Sequence, residues 1–249
     1  MKSFIDRLLR NPITFEFTSI FVYAFYCLVF ATASIPSVLL VRFSIKLLEN
    51  DNLLLFFVFV LICFLSFYVF LIVSSIIVGF IERLLTLGFK PGAYEIGSPV
   101  FFRWLVYSGL HLWTVNIVLP FLRGNNWIKI YLRVAGAKVG KEVFVNSKDI
   151  YDPYLLAIGD NVLIGGEALL NCHLFENGRL HLGKIILGDG TTIGGGAYLT
   201  PGTTTGKNSQ VGIFTYLRRN TTISDRETLM TPPGMSMRQA IKLMRTGKK

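Results

Sequence analysis

Charged residues are scarce in this chain: 16% of its 249 positions are Asp, Glu, Lys or Arg, against 52% hydrophobic and 14% aromatic. So low a charge content excludes an intrinsically disordered protein. Cysteine is scarcer. Cys27, Cys63 and Cys172 cannot all pair, and two of them lie inside apolar runs, which excludes a disulfide-stapled secreted scaffold. Histidine occurs three times, with no spacing that assembles a metal-ligand cluster, so no metal is expected. Acidic residues number 15 against 25 basic ones, for a net charge of +10. A basic, apolar chain suits anionic lipid head groups. No nucleic-acid partner is expected, because the aromatics concentrate in the apolar half and do not interleave with basic residues.

What is abundant is uninterrupted apolar sequence. No charge occurs from residue 17 to 41, and none from 53 to 81. Each run exceeds the ~20 residues a helix needs to cross a bilayer core. Lipid satisfies no backbone polar groups, so each run is predicted to be a transmembrane helix. The first is too long for a cleaved signal sequence and lacks a small-residue cleavage site. Glu49, Asn50, Asp51 and Asn52 form a polar turn between them, giving a transmembrane hairpin within residues 1–96, with Pro36 kinking its first span. Lys2, Arg7 and Arg10 before it and Arg83, Lys90 and Arg103 after it place both ends in the cytoplasm of a multi-pass cell-membrane protein. Arg42 and Lys46 pull the other way. A third run, 105–122, contains His111, Trp113, Asn116 and Pro120 between Arg103 and Arg123. That polarity favours an interfacial or re-entrant helix over a third span, within a linker region 97–131, with the His111 ring at the head groups.

From residue 132 to 230 a six-residue rhythm takes over. Leu187-Gly188, Ile193-Gly194, Leu199-Thr200, Thr205-Gly206 and Val211-Gly212 repeat at that spacing, as do Ile158-Gly159, Ile164-Gly165 and Leu170-Asn171 upstream. Thr191, Ala197, Thr203 and Ser209 fill a small-residue slot; Val162, Ala168 and Leu174 take it earlier, and Val139-Gly140 with Val143 reads as a first unit. Hexads of this kind wind a parallel β-helix, three to a coil, with the leading aliphatic inside, glycine at the corner and the small residue allowing coils to stack. Residues 147–156 and 175–184 break the period, the second around an Asn177-Gly178 turn. After Val211 about one further coil is expected before Arg218 and Arg219. Breaks in a rigid solenoid are where function concentrates.

Residues 139–216 resemble the left-handed parallel β-helix of the hexapeptide-repeat acyltransferases. Asn171-Cys172-His173-Leu174-Phe175-Glu176, a loop, then Ile186-Leu187-Gly188-Asp189-Gly190 is similar to a narrower group. That group is the membrane-associated C-terminal β-helix region of poly-lysine-type nonribosomal peptide synthetases. Trp127, Tyr131-Leu132-Arg133 and Gly136-Ala137-Lys138-Val139-Gly140 fit the entry into such a domain. The resemblance implies a homotrimer with acyl-coenzyme A, or a carrier-bound acyl group, as donor between subunits. It also implies a loop histidine that deprotonates the acceptor amine or hydroxyl. By motif that base is His173, with Glu176 to orient it and Asn171 to contact the acceptor. The alternative is a plain polar residue at a subunit contact. His181 is the fallback base. Cys172 reads as structural. Gly194, Gly195, Gly196, Thr200 and Gly202 bare the coil for a pantetheine arm, serve as corners, or do both. The pattern lacks the spacing of the three zinc-binding histidines of β-helix carbonic anhydrases.

Residues 231–249 read as a basic amphipathic helix, with Met237, Ala240, Ile241 and Met244 on one face and Arg238, Lys242, Arg245 and Lys249 on another. It suits an anionic membrane surface or the cap of a trimer. The leading expectation is a membrane-bound acyltransferase acting on a membrane-proximal acceptor. The alternatives are amide-bond formation between carrier-bound amino-acid units with a partner synthetase, and a non-enzymatic trimeric membrane scaffold.

Overall fold

The computed structural model describes residues 12–49 and 52–230, with side chains from residue 19. The basic flank Lys2, Arg7 and Arg10, the turn residues Asn50 and Asp51 and the expected helix 231–249 lie outside the described residues.

The two uncharged runs are helices α1 (Pro12–Ser44) and α2 (Leu53–Leu85), packed along one another, with α1 continuing through Pro36. A 3-10 turn, Ile45–Glu49, follows α1, and the Asn52 side chain caps α2 by accepting from the Leu54 N–H at 2.9 Å. Helix α3 (Pro99–Trp113) starts at Ser98, whose hydroxyl accepts from Phe101 N–H, and has Pro99 in the first turn, where no N–H is needed. It runs through a π-helical turn, Thr114–Val118, into α4 (Leu119–Leu122). Pro120 lacks an N–H, and the ladder widens ahead of it. Helix α5 (Asn126–Val134), capped by Asn125, leads into the coils. By length and composition, three helical stretches are apolar enough to cross a membrane: Ser19–Glu49, Leu53–Leu85 and Pro99–Leu122. The third lies against the β-helix, touching Asp152 through Trp104 and the Ile150 carbonyl through His111, and Arg123 just after it meets Glu167.

The hexads form a parallel β-helix of three sheets with five, five and four strands. The first coil comprises β2 (Lys138–Val139), β3 (Phe144–Val145) and β4 (Ile150–Tyr151). The second comprises β5 (Leu156–Ile158), β6 (Leu163–Ile164) and β7 (Leu169–Asn171). A hairpin, β8 (His173–Glu176) and β9 (Arg179–Leu182), leaves the coil before β10 (Ile185–Leu187), β11 (Thr192–Ile193) and β12 (Tyr198–Leu199) form the third. Strands β13 (Thr204–Thr205), β14 (Gln210–Val211) and β15 (Tyr216–Leu217) make the fourth, and β16 (Thr222–Ile223) and β17 (Thr228–Leu229) begin a fifth. The column is filled by Ile158, Ile164, Leu170, Leu187, Ile193, Leu199, Val211, Leu217 and Ile223, all buried. Those are the leading residues of the hexads. The small slot is buried too, at Val162, Ala168, Thr191, Ala197, Thr203 and Ser209.

Four readings change. The one further coil expected after Val211 is present but runs past Arg218 and Arg219 toward residue 230, since β16 and β17 stack on β13 and β14. The break at 147–156 is only partial: Ile150–Tyr151 pairs with Leu170–Asn171 and closes the first coil. The second break starts earlier than residue 175. Leu174 occupies no stacking slot, because from His173 the chain pairs antiparallel in the hairpin. The region before α3 is not purely helical either. Gly92–Glu95, between α2 and α3, forms β1 and pairs with β9, so the helical region contributes the third strand of the sheet β1-β9-β8.

Candidate functional site

The hairpin that leaves the coil carries His173 as the first residue of β8. Side chains alternate along a strand, so His173 and Phe175 share one face while Leu174 and Glu176 share the other. The first face turns toward α3: the Phe175 ring lies 5.5 Å from that of Trp104, and the His173 ring 4.8 Å from it. Tyr151 stands edge-on to the imidazole at 6.2 Å. The ring is thus walled on its aromatic sides, with 18% of the side chain exposed.

Its Nδ1 is 2.6 Å from Oδ2 of Asp152, a carboxylate 1% exposed. Asp152 lies in the break between β4 and β5, in the left-handed conformation at φ 58, immediately before Pro153. Its Oδ1 accepts from Trp104 Nε1 at 3.0 Å and from the Tyr154 hydroxyl at 3.3 Å. Burial, with the Asp152 charge beside it, pushes the Tyr154 phenol well above its usual range. It stays a neutral donor to the carboxylate. With Nδ1–H donating to Asp152, the lone pair sits on Nε2, which has no protein partner among the described residues. A carboxylate-held imidazole with its second nitrogen free can accept a proton.

Glu176, the expected orienter, does not reach this ring. Three residues along a strand place it on the opposite face, where its carboxylate meets Arg219 at 3.0 Å. The carboxylate at the imidazole is Asp152, which the motif reading did not single out. One signal was available, since Asp152-Pro153 lies inside the first break in the period. Trp104 gave no such signal among the apolar residues of its helix. Asn171 is brought close: its Oδ1 accepts from the His173 backbone N–H at 3.4 Å, and its amide reaches the Tyr198 hydroxyl at 3.4 Å.

The other histidines are elsewhere. His181 pairs across from Leu174, on the face away from His173; Arg219 donates to its Nδ1 at 3.1 Å, and its Nε2 is enclosed without a partner. His111 is not at a head-group surface but 1% exposed, bonded to Glu82 and the Ile150 carbonyl. Cys172 is fully buried, and burial pushes its thiol well above the ordinary range, so it is an inert core residue.

The glycines lie where successive coils come closest. A Cβ on Gly194 would stand 2.5 Å from the Ile213 backbone nitrogen of the next coil, so stacking excludes any side chain there. Gly196 has φ +65, and its Cβ would stand 2.5 Å from the Phe214 ring. Gly195 faces the Gly166 carbonyl on the coil before, and Gly202 faces Asn220 on the coil after. Thr200 is buried, its hydroxyl donating to the Leu217 carbonyl at 2.8 Å. Gly194, Gly195, Gly196 and Gly202 are half-buried between the coils above and below, while Thr200 is buried. The positive-φ corner recurs three residues after the leading residue of each hexad, at Gly190, Gly196, Gly202, Asn208, Phe214, Asn220 and Arg226. Among the described residues no cluster of three or more His, Cys, Asp and Glu has metal-ligand geometry.

No protein-family model matches the chain. Delta-poly-L-ornithine synthetase of Acinetobacter baumannii is 32% identical over 163 residues, 64% of this chain and 12% of that protein. Galactoside O-acetyltransferase of Escherichia coli is 30% identical over 99 residues, 35% of this chain and 49% of that enzyme. The chain therefore spans an eighth of the first relative and half of the second. Among solved structures, a maltose O-acetyltransferase from Clostridium difficile aligns at a TM-score of 0.44 and 19% identity, over 61% of this chain and 93% of that one.

Proposed function

We propose that this chain, a relative of the hexapeptide-repeat acyltransferases, is a membrane-bound member that moves an acyl group to an amine or hydroxyl of a membrane-proximal acceptor. The observation that carries the reading is the His173–Asp152 pair: Nδ1 tied at 2.6 Å to a buried carboxylate, Nε2 left free. In this reading Nε2 removes the proton from the acceptor as its nitrogen or oxygen attacks the acyl carbonyl of a thioester. The tetrahedral adduct then collapses, the carbon–sulfur bond breaks, and the thiolate leaves with the proton returned by the imidazolium. Asp152 fixes the ring's tautomer and stabilises its transient positive charge. Asn171, beside His173, is an acceptor contact. Acyl-coenzyme A is the donor substrate. A neighbouring copy in a homotrimer, with left-handed columns packed about one axis, supplies the second wall of the donor groove.

The apolar helices α1 and α2 anchor the chain in the cell membrane and α3 lies at the head groups, with the β-helix on the cytoplasmic side. This arrangement presents His173 to acceptors held at the bilayer surface. The test is transfer from labelled acetyl-coenzyme A to amine and hydroxyl acceptors by the full chain in lipid nanodiscs. His173→Ala is expected to abolish transfer while leaving the thermal unfolding of the β-helix in place. Undiminished transfer by His173→Ala overturns the mechanism.

A second reading has one observation in its favour. The stretch similar to the poly-ornithine synthetase is longer than the β-helix, so it reaches into the helical region. Amide-bond formation between amino-acid units carried by a partner synthetase would use the same base. Transfer from an aminoacyl carrier, with none from acetyl-coenzyme A, selects it.

A further inference from the structure

A second carboxylate–imidazole pair is sealed where three helices meet the first coil. Glu82, in the last turn of α2, is fully buried, and the residues around it are His111 and Thr114 from the α3 stretch and Tyr131 from α5. The Tyr131 hydroxyl is 2.6 Å from Glu82 Oε2 and 3.0 Å from His111 Nδ1, which is itself 3.2 Å from Glu82 Oε1. Thr114 donates to Oε1 at 3.2 Å. On the far side of the ring, His111 Nε2 is 2.9 Å from the Ile150 carbonyl. A carbonyl only accepts, so Nε2 carries a hydrogen and donates it.

Ile150 is two residues before Asp152. Trp104, which donates to the Asp152 carboxylate, is seven residues before His111, on the same face of α3. One helix face therefore holds this segment at two points, a backbone carbonyl and a carboxylate. Between them the chain turns into the left-handed conformation of Asp152, which persists only where the surroundings hold it. The other polar contacts between helices and coils, Arg123 with Glu167 and Arg133 with the Val139 and Gly140 carbonyls, are exposed, and the buried remainder is apolar, including Leu110, Leu119, Leu122, Ile128 and Leu132. Burying an ionisable cluster is no more stabilising than filling the space with apolar groups. What the cluster adds is direction.

We propose that Glu82, Tyr131 and His111 are positioning residues: they hold the Ile150 carbonyl and thereby set Asp152 against His173, so the packing of the apolar helices governs whether the base is assembled. The inference rests on the functional reading above for its kinetic consequence, and on geometry alone for its structural one. The decisive variant is Glu82→Met with His111→Leu, which keeps volume and burial and removes the cluster. It is compared with wild type as full chains in nanodiscs. Two readouts are taken. The first is the downfield proton resonance of the His173 Nδ1–H bonded to Asp152, assigned by its loss in Asp152→Asn. The second is the split of kcat from KM in acyl transfer.

The expected result is a chain that still unfolds cooperatively, loss of the resonance, and kcat lowered at least ~10-fold with KM within ~2-fold. His111→Gln, whose amide N–H still reaches the Ile150 carbonyl, is expected to keep both readouts. A double variant that retains the resonance and kcat overturns the inference. Should that variant fail to fold, His111→Asn, whose shorter side chain cannot reach the carbonyl, is read in its place. If no acyl transfer is found in wild type, the functional reading falls. The resonance then decides the positioning role alone, supporting it by its loss and overturning it by its persistence.

Discussion

His173 and His111 each lean on a buried carboxylate, yet one ring is open and the other closed. Asp152 and Glu82 are equally hidden from solvent. The difference lies in the second nitrogen: Nε2 of His111 is spent on the Ile150 carbonyl, while Nε2 of His173 has no partner among the described residues. A ring with both nitrogens engaged fixes structure, whereas a ring with one free can exchange a proton. Burial and a carboxylate partner do not by themselves mark a reactive histidine. The unfilled hydrogen-bond position is what leaves a nitrogen open to a proton.

The most severe way to break this contrast is to remove the charge behind the open ring. Asn accepts the left-handed backbone of residue 152 and still offers an oxygen to Trp104. Asp152→Asn is therefore expected to fold, yet it cannot stabilise the imidazolium. Its kcat in acyl transfer should fall about 10²- to 10⁴-fold with little change in KM. Activity within a few-fold of wild type would show that the carboxylate is merely a structural ligand, like Glu82.

Trp104→Phe acts one step further out. It keeps the aromatic wall beside His173 and deletes only the N–H that holds Asp152 Oδ1. Losing the shorter of the two hydrogen bonds to Oδ1, with the Tyr154 hydroxyl left, loosens Asp152 against the imidazole, and kcat is expected to drop about 10-fold. If Trp104 only packs, Trp104→Phe leaves steady-state kinetics unchanged.

How much of this was legible follows from the range of each contact. The column was readable because every hexad states the same rule locally: Leu187, Ile193 and Leu199 enter the interior whatever the rest of the chain does. His173 was legible through its motif. Its partner was not, because Asp152 and Trp104 come from separate segments, and only the packing of α3 along the coils brings them together. Strand β1 was hidden for the same reason, as a short segment between helices whose pairing with β9 has no local signature. Glu176 was the opposite case. Once residues 173–176 are taken as a strand, alternation alone removes it from the His173 face.

Gly196→Ala tests the coil side of the comparison. A methyl there meets a left-handed backbone and the Phe214 ring at once. Thermal or chemical unfolding should show a loss of about 1–3 kcal/mol, while kcat and donor KM of the folded fraction stay at wild-type values. A raised KM for the acyl donor with unchanged stability would return this glycine to the donor site.

The smallest effect belongs to the exposed corners, where contacts repeat from coil to coil. Asp160 Oδ1 accepts from Lys141 N–H at 2.6 Å, Asp189 Oδ1 from Asp160 N–H at 3.0 Å, and Asp225 Oδ1 from Lys207 N–H at 2.7 Å. The Asp160 N–H first, and Lys207 second, hold the Asp189 carboxyl below its ordinary value of 3.8. A depressed carboxyl favours the folded state at pH values above 3.8, and that contribution is lost as pH falls through the lower folded value. Asp189→Asn should therefore lower the unfolding temperature slightly at neutral pH and leave it unchanged in acid, where the wild-type group is protonated in both states. The proton linkage is present only if the two temperatures converge as pH falls. A gap that stays constant with pH would mean that the corner depends on the shape of the side chain rather than its charge, as the left-handed turns of the same coils do.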